Sequence, residues 1–237
     1  MSAPALSVEA VDAFYGASQV LFGLDLEVGQ GQTVALLGRN GAGKSTTFKA
    51  IAGLLPPRRG RIALGAETVS GRKPFRIARA GIGYVPEDRQ VFPDHTVHDN
   101  ILIGAKPGPR GDRPWTVGRI YEAFPLLVPL RDRRAGRLSG GEQQMLTVAR
   151  TLIGNPDVLL LDEPSEGLAP VVVQAIAALI RTLREAGVTI LLAEQNMHFC
   201  LGVATHATVI DKGRSVFRGT IAELRAQPEV VQRYLAL

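Results

Sequence analysis

The chain has 237 residues, 46% of them apolar and 21% charged, with a formal net charge of +5. That is enough to bury a full core in one or two domains, and too apolar for a disordered chain. A single cysteine, Cys200, excludes an internal disulfide and any cysteine-built metal site and belongs in helix packing, while the basic balance fits nucleic acid, an anionic membrane or an anionic ligand without choosing among them.

The start, Met1-Ser2-Ala3-Pro4, lacks the basic-then-apolar pattern of an export signal, and no apolar run reaches the length of a bilayer span. The chain therefore reads as cytosolic, with any membrane role supplied through a partner. Residues 6–11 and 20–28 alternate like half-buried strands. Gly29-Gln30-Gly31 turns into a short apolar strand at 33–37. Residues 44–54 have helical spacing, with Phe48, Ile51, Leu54 and Leu55 on one face. Pro56, Pro57 and Gly60 end that helix, and 61–64 returns as a strand. A short helix at 74–80 is closed by Gly81, and a strand at 82–85 stops at Pro86.

Thr96 and Asp99 have the spacing of a helix cap ahead of a helix that runs to Gly104. Residues 106–114 read as a loop and 117–127 as a helix. The basic cluster at 131–137 is by default a solvated face, with an anionic or partner surface as the alternative. A strong helical pattern covers 141–152, and 158–161 suits a strand buried on both faces. An alanine-rich helix at 171–186 ends at Gly187, before another apolar strand at 188–193. A short helix at 197–203, a hairpin of 206–211 with 215–217 around Lys212-Gly213, and helices at 220–226 and 228–235 complete the chain. Strands alternating with helices predict an α/β fold, without internal repeats or a dividing linker.

Three motifs carry chemistry. Gly38, Arg39, Asn40, Gly41, Ala42, Gly43, Lys44 and Ser45, followed by Thr46, fit the phosphate-loop pattern G-x-x-x-x-G-K-[ST], placed between a strand and a helix. The helix end offers unpaired N–H donors and partial positive charge to phosphate. Lys44 would reach the β- and γ-phosphates, and the Ser45 hydroxyl would bind Mg²⁺. The bland alternative is a glycine-rich turn that binds nothing. The strand at 158–161 runs into Asp162 and Glu163. Asp162 can hold Mg²⁺ through water beside Ser45. Glu163 points differently and could polarise a water as general base. Taken alone, the pair could simply leave a strand. Leu138, Ser139, Gly140, Gly141, Glu142, Gln143 and Gln144 place a serine and two glycines at a helix start, a second anion-binding end. Two such ends of one chain cannot both reach one γ-phosphate unless another copy supplies the second.

That heptad resembles the signature sequence of ATP-binding cassette (ABC) ATPases, and the order of phosphate loop, signature helix and Asp-Glu strand is that of the family. The resemblance spans 6–237 as one nucleotide-binding domain. It implies a P-loop NTPase core with an antiparallel β subdomain and an α-helical subdomain at about 87–155. It further implies a head-to-tail dimer, with itself or a sister ATPase, holding ATP and Mg²⁺ between one chain's phosphate loop and the other's Ser139, Gly140, Gly141 and Glu142. Tyr15 stands where the family stacks an aromatic on adenine, and 164–169 resembles the loop that crosses the dimer interface. The region 96–136 corresponds to the part that faces the transmembrane partner. Glu87 takes the place of a glutamine that senses Mg²⁺ and the partner, and a carboxylate there can still bind metal. Gln195 takes the place of a histidine that contacts the γ-phosphate. Glutamine can donate to phosphate but carries no proton at neutral pH, which shifts weight onto Glu163.

The wording of 83–89, 91–93, 165–170 and 194–196 is similar to the smaller ATPase of bacterial branched-chain amino acid importers. Those work with a sister ATPase, two permeases and a periplasmic binding protein, at the cytoplasmic face of the inner membrane. Close relatives serve urea and short amides. Alternatives are an export or lipid-transport ATPase of the same fold, a non-catalytic cassette, and a soluble ABC ATPase on nucleic acid or ribosomes. The last usually carries two cassettes or a long coiled-coil insertion, neither of which is present here, so no nucleic-acid partner is expected.

Overall fold

The computed structural model describes residues 3–235; the expectations for Met1, Ser2 and the last two positions of the 6–237 domain lie outside them. The chain opens with strands β1 (Leu6–Tyr15), β2 (Ser18–Val28) and β3 (Thr33–Leu37), then helix α1 (Lys44–Ile51). Strands β4 (Arg59–Leu64) and β5 (Glu67–Thr68), helix α2 (Pro74–Ala80) and strand β6 (Ile82–Val85) follow. Helices α3 (Val97–Gly104), α4 (Val117–Ala123) and α5 (Gly140–Leu152) come next. The chain then alternates through β7 (Val158–Asp162), α6 (Pro170–Glu185), β8 (Thr189–Glu194) and α7 (Met197–Val203). It ends with β9 (His206–Asp211), β10 (Arg214–Thr220), α8 (Ile221–Arg225) and α9 (Pro228–Tyr234).

The strands form two sheets. One is four-stranded, in the order β2-β1-β4-β5, and antiparallel. The other is six-stranded, in the order β10-β9-β3-β8-β7-β6, and parallel except at its β10 edge. The central strands read as unbroken apolar runs because both faces are covered. Ala35, Leu37, Leu159 and Leu161 face a cluster that contains Leu146 of α5 and Ile180 of α6. Val34, Leu36, Val158 and Leu160 face a second cluster, lying between the sheets around Phe48 and Ile51 of α1. Each strand thus serves two layers with alternate residues. Between β6 and β7 the described chain is helical and irregular, apart from one isolated bridge between Thr96 and Arg134.

Local chemistry explains where the elements depart from expectation. Strand β1 runs past residue 11 to Tyr15 by way of an irregularity at Ala10, whose φ is 46° and whose N–H donates to Asp25 Oδ1 at 2.9 Å. Gly60, expected to end a helix, lies within β4 with φ 87°, and a Cβ there would sit 2.4 Å from the Ala10 carbonyl oxygen. Helix α1 stops at Ile51, and the N–H groups of Leu54 and Leu55 fold back onto the Lys49 carbonyl at 2.9 and 3.1 Å. Leu54 therefore leaves the buried face on which the spacing puts it and is 56% exposed. The expected helix at 117–127 is also shorter. It ends at Ala123, and residues Pro125–Leu130 continue as a 3-10 helix. Pro125 has no N–H to give and pushes its predecessor out of helical geometry, and Phe124 accordingly sits at φ −122°, ψ 63°. The capping expectation at Thr96 is met in full, with Thr96 Oγ1 accepting from the Asp99 N–H at 3.0 Å and the Asp99 carboxylate accepting from the Thr96 N–H at 3.2 Å.

Candidate functional site

Strand β3 is buried along its whole length and delivers the chain to Gly38 under β9. A side chain at Gly38 would put its Cβ 2.5 Å from the Ile210 carbonyl oxygen, so glycine is required by packing. Gly43 caps α1 in the left-handed region at φ 111°, beside Leu21 of the antiparallel sheet. The Ala42 carbonyl accepts from the Gly213 N–H at 2.8 Å, and the Gly213 carbonyl accepts from the Phe22 N–H at 3.0 Å. The loop is thus fixed between the two sheets. No side chain caps the N-terminus of α1, which leaves its donors for an anion. Arg39, Asn40 and Gly41 form the exposed rim, while Thr46 is buried in the first turn of the helix.

Charge is concentrated directly below. Lys44 is 4% exposed, and its Nζ donates to the carbonyls of Gly38 at 2.9 Å and Arg39 at 3.4 Å. The same nitrogen lies 3.2 Å from Glu163 Oε1. Asp162 is fully buried; its Oδ1 accepts from Ser45 Oγ and its Oδ2 from Tyr84 Oη, both at 3.2 Å. Burial first, then the charge of Glu87, pushes the Asp162 carboxyl up to about 6. Burial, reinforced by Asp162, raises the Tyr84 phenol. Nothing local in the sequence marks Tyr84. Its position on β6 next to β7, and the edge it presents to Phe48 at 6.3 Å, bring it to the site.

Glu163 has φ 45°, a left-handed backbone that is uncommon for a side-chain-bearing residue and is held by its N–H donating to the Ala193 carbonyl at 2.9 Å. The Glu166 N–H closes the turn onto the Glu163 carbonyl at 3.1 Å. A hydrogen bond with Glu163, and then its charge, raise the Glu166 carboxyl above the usual range. Glu194 is buried and raised by that burial, while its carboxylate accepts from Ser165 N at 3.0 Å and Ser165 Oγ at 2.5 Å. Gln195 and Glu163 share the wall of a cavity of about 510 Å³ with Ser165, Glu166 and Glu194. Glu87 is exposed at the end of β6, close enough for its charge to act on both Asp162 and Tyr84. Tyr15 is 46% exposed at the end of β1.

The Ser139 end is built differently. Ser139 caps α5, and Glu142 Oε2 accepts from Ser139 N at 2.7 Å and from Ser139 Oγ at 2.8 Å. Glu142, grouped by the resemblance with the nucleotide-binding residues, has its carboxylate engaged within its own turn. That carboxylate supports the serine. Gly141 serves packing as well as approach: a Cβ would fall 2.2 Å from Val172 Cγ1, where α5 crosses α6. A Cβ on Gly140 would meet Arg89 Nη1 at 2.6 Å. These neighbours all lie outside the phosphate loop, and Ser139 is exposed.

The donor set suits Mg²⁺. Ser45 Oγ and the Asp162 carboxylate are hard oxygen ligands side by side, and a buried carboxylate disfavoured by desolvation gains from a cation. Among the described residues no group of three or more His, Cys, Asp or Glu is arranged to hold a metal by itself.

Residues 21–166 match the family profile described as ABC transporter. The high-affinity branched-chain amino acid transport ATP-binding protein BraG of Pseudomonas aeruginosa is 41% identical over 230 residues, covering 97% of this chain and 99% of that protein. The probable branched-chain amino acid transport ATP-binding protein LivF of Archaeoglobus fulgidus is 35% identical, over 90% of this chain and 91% of its own. Among solved structures, a nucleotide-free ATP-binding cassette from an ABC transporter superposes with a TM-score of 0.80 at 27% identity, covering 97% of this chain and 98% of that one.

Proposed function

The chain belongs to the ABC transporter family as one of its ATPases, and we propose that it powers an importer of branched-chain, hydrophobic amino acids. The observation that carries this reading is the end-to-end match to BraG at 41% identity, with LivF beside it. None of the helices among the described residues is long and apolar enough to cross a membrane. Its place is peripheral, at the cytoplasmic face, bound to permease subunits and facing a second ABC ATPase or another copy of itself head to tail. A periplasmic binding protein would deliver substrate to the permeases without touching this chain.

The site supports a division of roles. The phosphate loop and the start of α1 receive the β- and γ-phosphates, with Lys44 as counter-charge. Lys44 is engaged by Glu163 at 3.2 Å and by loop carbonyls. A γ-phosphate beside Lys44 would compete with Glu163 for that ammonium group, and the carboxylate would then hold a water and accept its proton. Ser45 and Asp162 would hold Mg²⁺, with Glu87 near enough to contribute through water; the ion would neutralise charge on the phosphates. Gln195 donates to the γ-phosphate or the attacking water from the Glu163 side. Ser139, Gly140 and Gly141 address the nucleotide on the facing chain, and Tyr15 stacks on adenine.

The test is affinity purification from native membranes in detergent, followed by identification of the partners and uptake assays with leucine, isoleucine, valine and urea. Recovery of two polytopic permeases and a sister ATPase, with uptake of the branched-chain amino acids lost in Lys44→Ala, is expected. Urea uptake alone would move the assignment to amide import, and recovery of ribosomes or nucleic acid without permeases would overturn it. Lys44→Ala itself should lose nucleotide binding by at least about 100-fold, since a buried charge-assisted contact is removed; isothermal titration with Mg-ATP measures this.

A further inference from the structure

Arg89 lies in the loop after β6 and belongs to none of the nucleotide-binding motifs. Its backbone is left-handed, φ 58°, which is costly for a long side chain unless surrounding contacts hold it. Helix α5 supplies those contacts. Thr147 Oγ1 donates to the Arg89 carbonyl at 2.6 Å, and Arg150 Nη2 donates to the Gln90 carbonyl at 2.6 Å. From this anchored backbone the guanidinium meets two elements at once. Nη2 donates to the Glu166 carbonyl at 3.0 Å, and Nη1 lies against Gly140, 2.6 Å from where a Cβ would be.

A cation beside the first turn of α5 faces the positive end of the helix dipole, an unfavourable placement by itself. The Glu166 carbonyl, which accepts from Arg89 Nη2, offsets it. A held backbone and a held charge in one residue exceed what filling a gap requires. The Glu166 contact carries the mechanical meaning. Because the Glu166 N–H is also bonded to the Glu163 carbonyl, a group that holds Glu166 holds the turn bearing Glu163.

We infer that Arg89 is a positioning residue that ties the turn carrying Glu163 to the Ser139 end of α5. The anion-binding end offered to the facing chain is thereby kept in register with this chain's own hydrolytic base. The inference rests on the roles proposed above for Glu163 and Ser139. The link between them passes through a residue that lies outside the phosphate loop, the Asp162-Glu163 step and the Ser139 heptad.

The experiment uses the chain assembled with its permease and ATPase partners, as wild type, Arg89→Met and Arg89→Lys. Because misplacement by about 1 Å can cost ~100-fold in rate, Arg89→Met should lower kcat by roughly tenfold or more. KM for Mg-ATP and nucleotide affinity should stay within about twofold, as expected when ground-state binding is untouched. The unfolding midpoint should stay within about 2 °C. Arg89→Lys should recover only part of the rate, since an ammonium keeps the charge but cannot span both contacts. An unchanged kcat in Arg89→Met would overturn the inference. So would a loss of kcat accompanied by equal losses of nucleotide affinity and thermal stability, the mark of a residue that only supports the fold. A wild-type complex without ATPase activity would instead defeat the proposed function, whereas an active wild type with a neutral Arg89→Met defeats the role of Arg89 alone.

Discussion

The starts of α1 and α5 are finished to different degrees. At the start of α1 the loop is wedged between two sheets, its lysine is buried, and two carboxylates stand below it. At the start of α5 the serine is exposed, and its partner Glu142 belongs to the same turn. One end gathers opposite charges in a buried setting, with Lys44 paired to Glu163 and Asp162 held by Ser45. The other is an exposed serine cap closed within its own turn. In the proposed head-to-tail pair, the first end would hold the nucleotide and the second would be presented to the facing chain.

Substitutions can break or sharpen that contrast. The largest effect belongs to the end at α1. Glu163→Gln should lower kcat by about 1,000-fold, within the range for loss of a general base, while nucleotide still binds. ATP-bound dimers should then accumulate in analytical ultracentrifugation, and a variant that stays monomeric at saturating Mg-ATP would remove Glu163 from the hydrolytic role. Asp162→Asn probes the cost of the charge. The folded carboxyl titrates near 6, above its unfolded value. The fold therefore favours the protonated form; that stability is fully present below the unfolded pKa and is lost as pH rises through about 6. Without metal, Asp162→Asn should raise the free energy of unfolding at pH 7.5 by up to about 3 kcal/mol, and with it the thermal midpoint, with the advantage shrinking as pH falls toward 4. Magnesium-dependent turnover should be lost in the same variant. A midpoint difference that does not change with pH would contradict the buried-charge account.

At the presented end the effects are smaller and mostly structural. Gly141→Ala drives a methyl into Val172 and should cost roughly 1–3 kcal/mol in urea unfolding. Combining it with Val172→Ala should recover part of the loss, and no recovery would show that the clash is not the cause. Ser139→Ala removes the cap and should cost about 1 kcal/mol of stability. It should leave monomer nucleotide affinity unchanged while weakening ATP-dependent dimerisation. An equal loss of monomer affinity would place Ser139 in its own chain's site.

Much of this was legible because it is local. The phosphate loop, the Asp162-Glu163 step and the Ser139 cap each fall within a few consecutive residues; spacing marks the first, and the resemblance to ABC ATPases gives the other two their meaning. The alternation of β3, β7 and β8 between two clusters was legible as continuous apolar runs. What escaped reading is created by tertiary proximity. Tyr84 meets Asp162 across 78 positions, and Arg89 meets Glu166 across 77. Both lie in the stretch 83–89 whose wording resembles the importer ATPases, but nothing in that wording names Asp162 or Glu166 as their partners. The helix at 117–127 was read too long because its apolar spacing continues past Pro125, and the missing N–H there outweighs that spacing. The bonds that Ser139 N and Oγ give to Glu142 Oε2 complete a capping box that the sequence reading did not single out.

Gly213 joins the two sheets through its backbone. A Cβ there would lie 1.9 Å from the Val20 carbonyl oxygen, and its backbone bonds both the phosphate loop and β2. The antiparallel sheet can neither slide nor peel away without opening the nucleotide-binding loop. The two sheets should therefore melt as one cooperative unit, in a single calorimetric transition whose van't Hoff and calorimetric enthalpies agree. Nucleotide would raise that transition as a whole, and amides in β1 and β2, far from the phosphates, would gain hydrogen-exchange protection alongside those of α1.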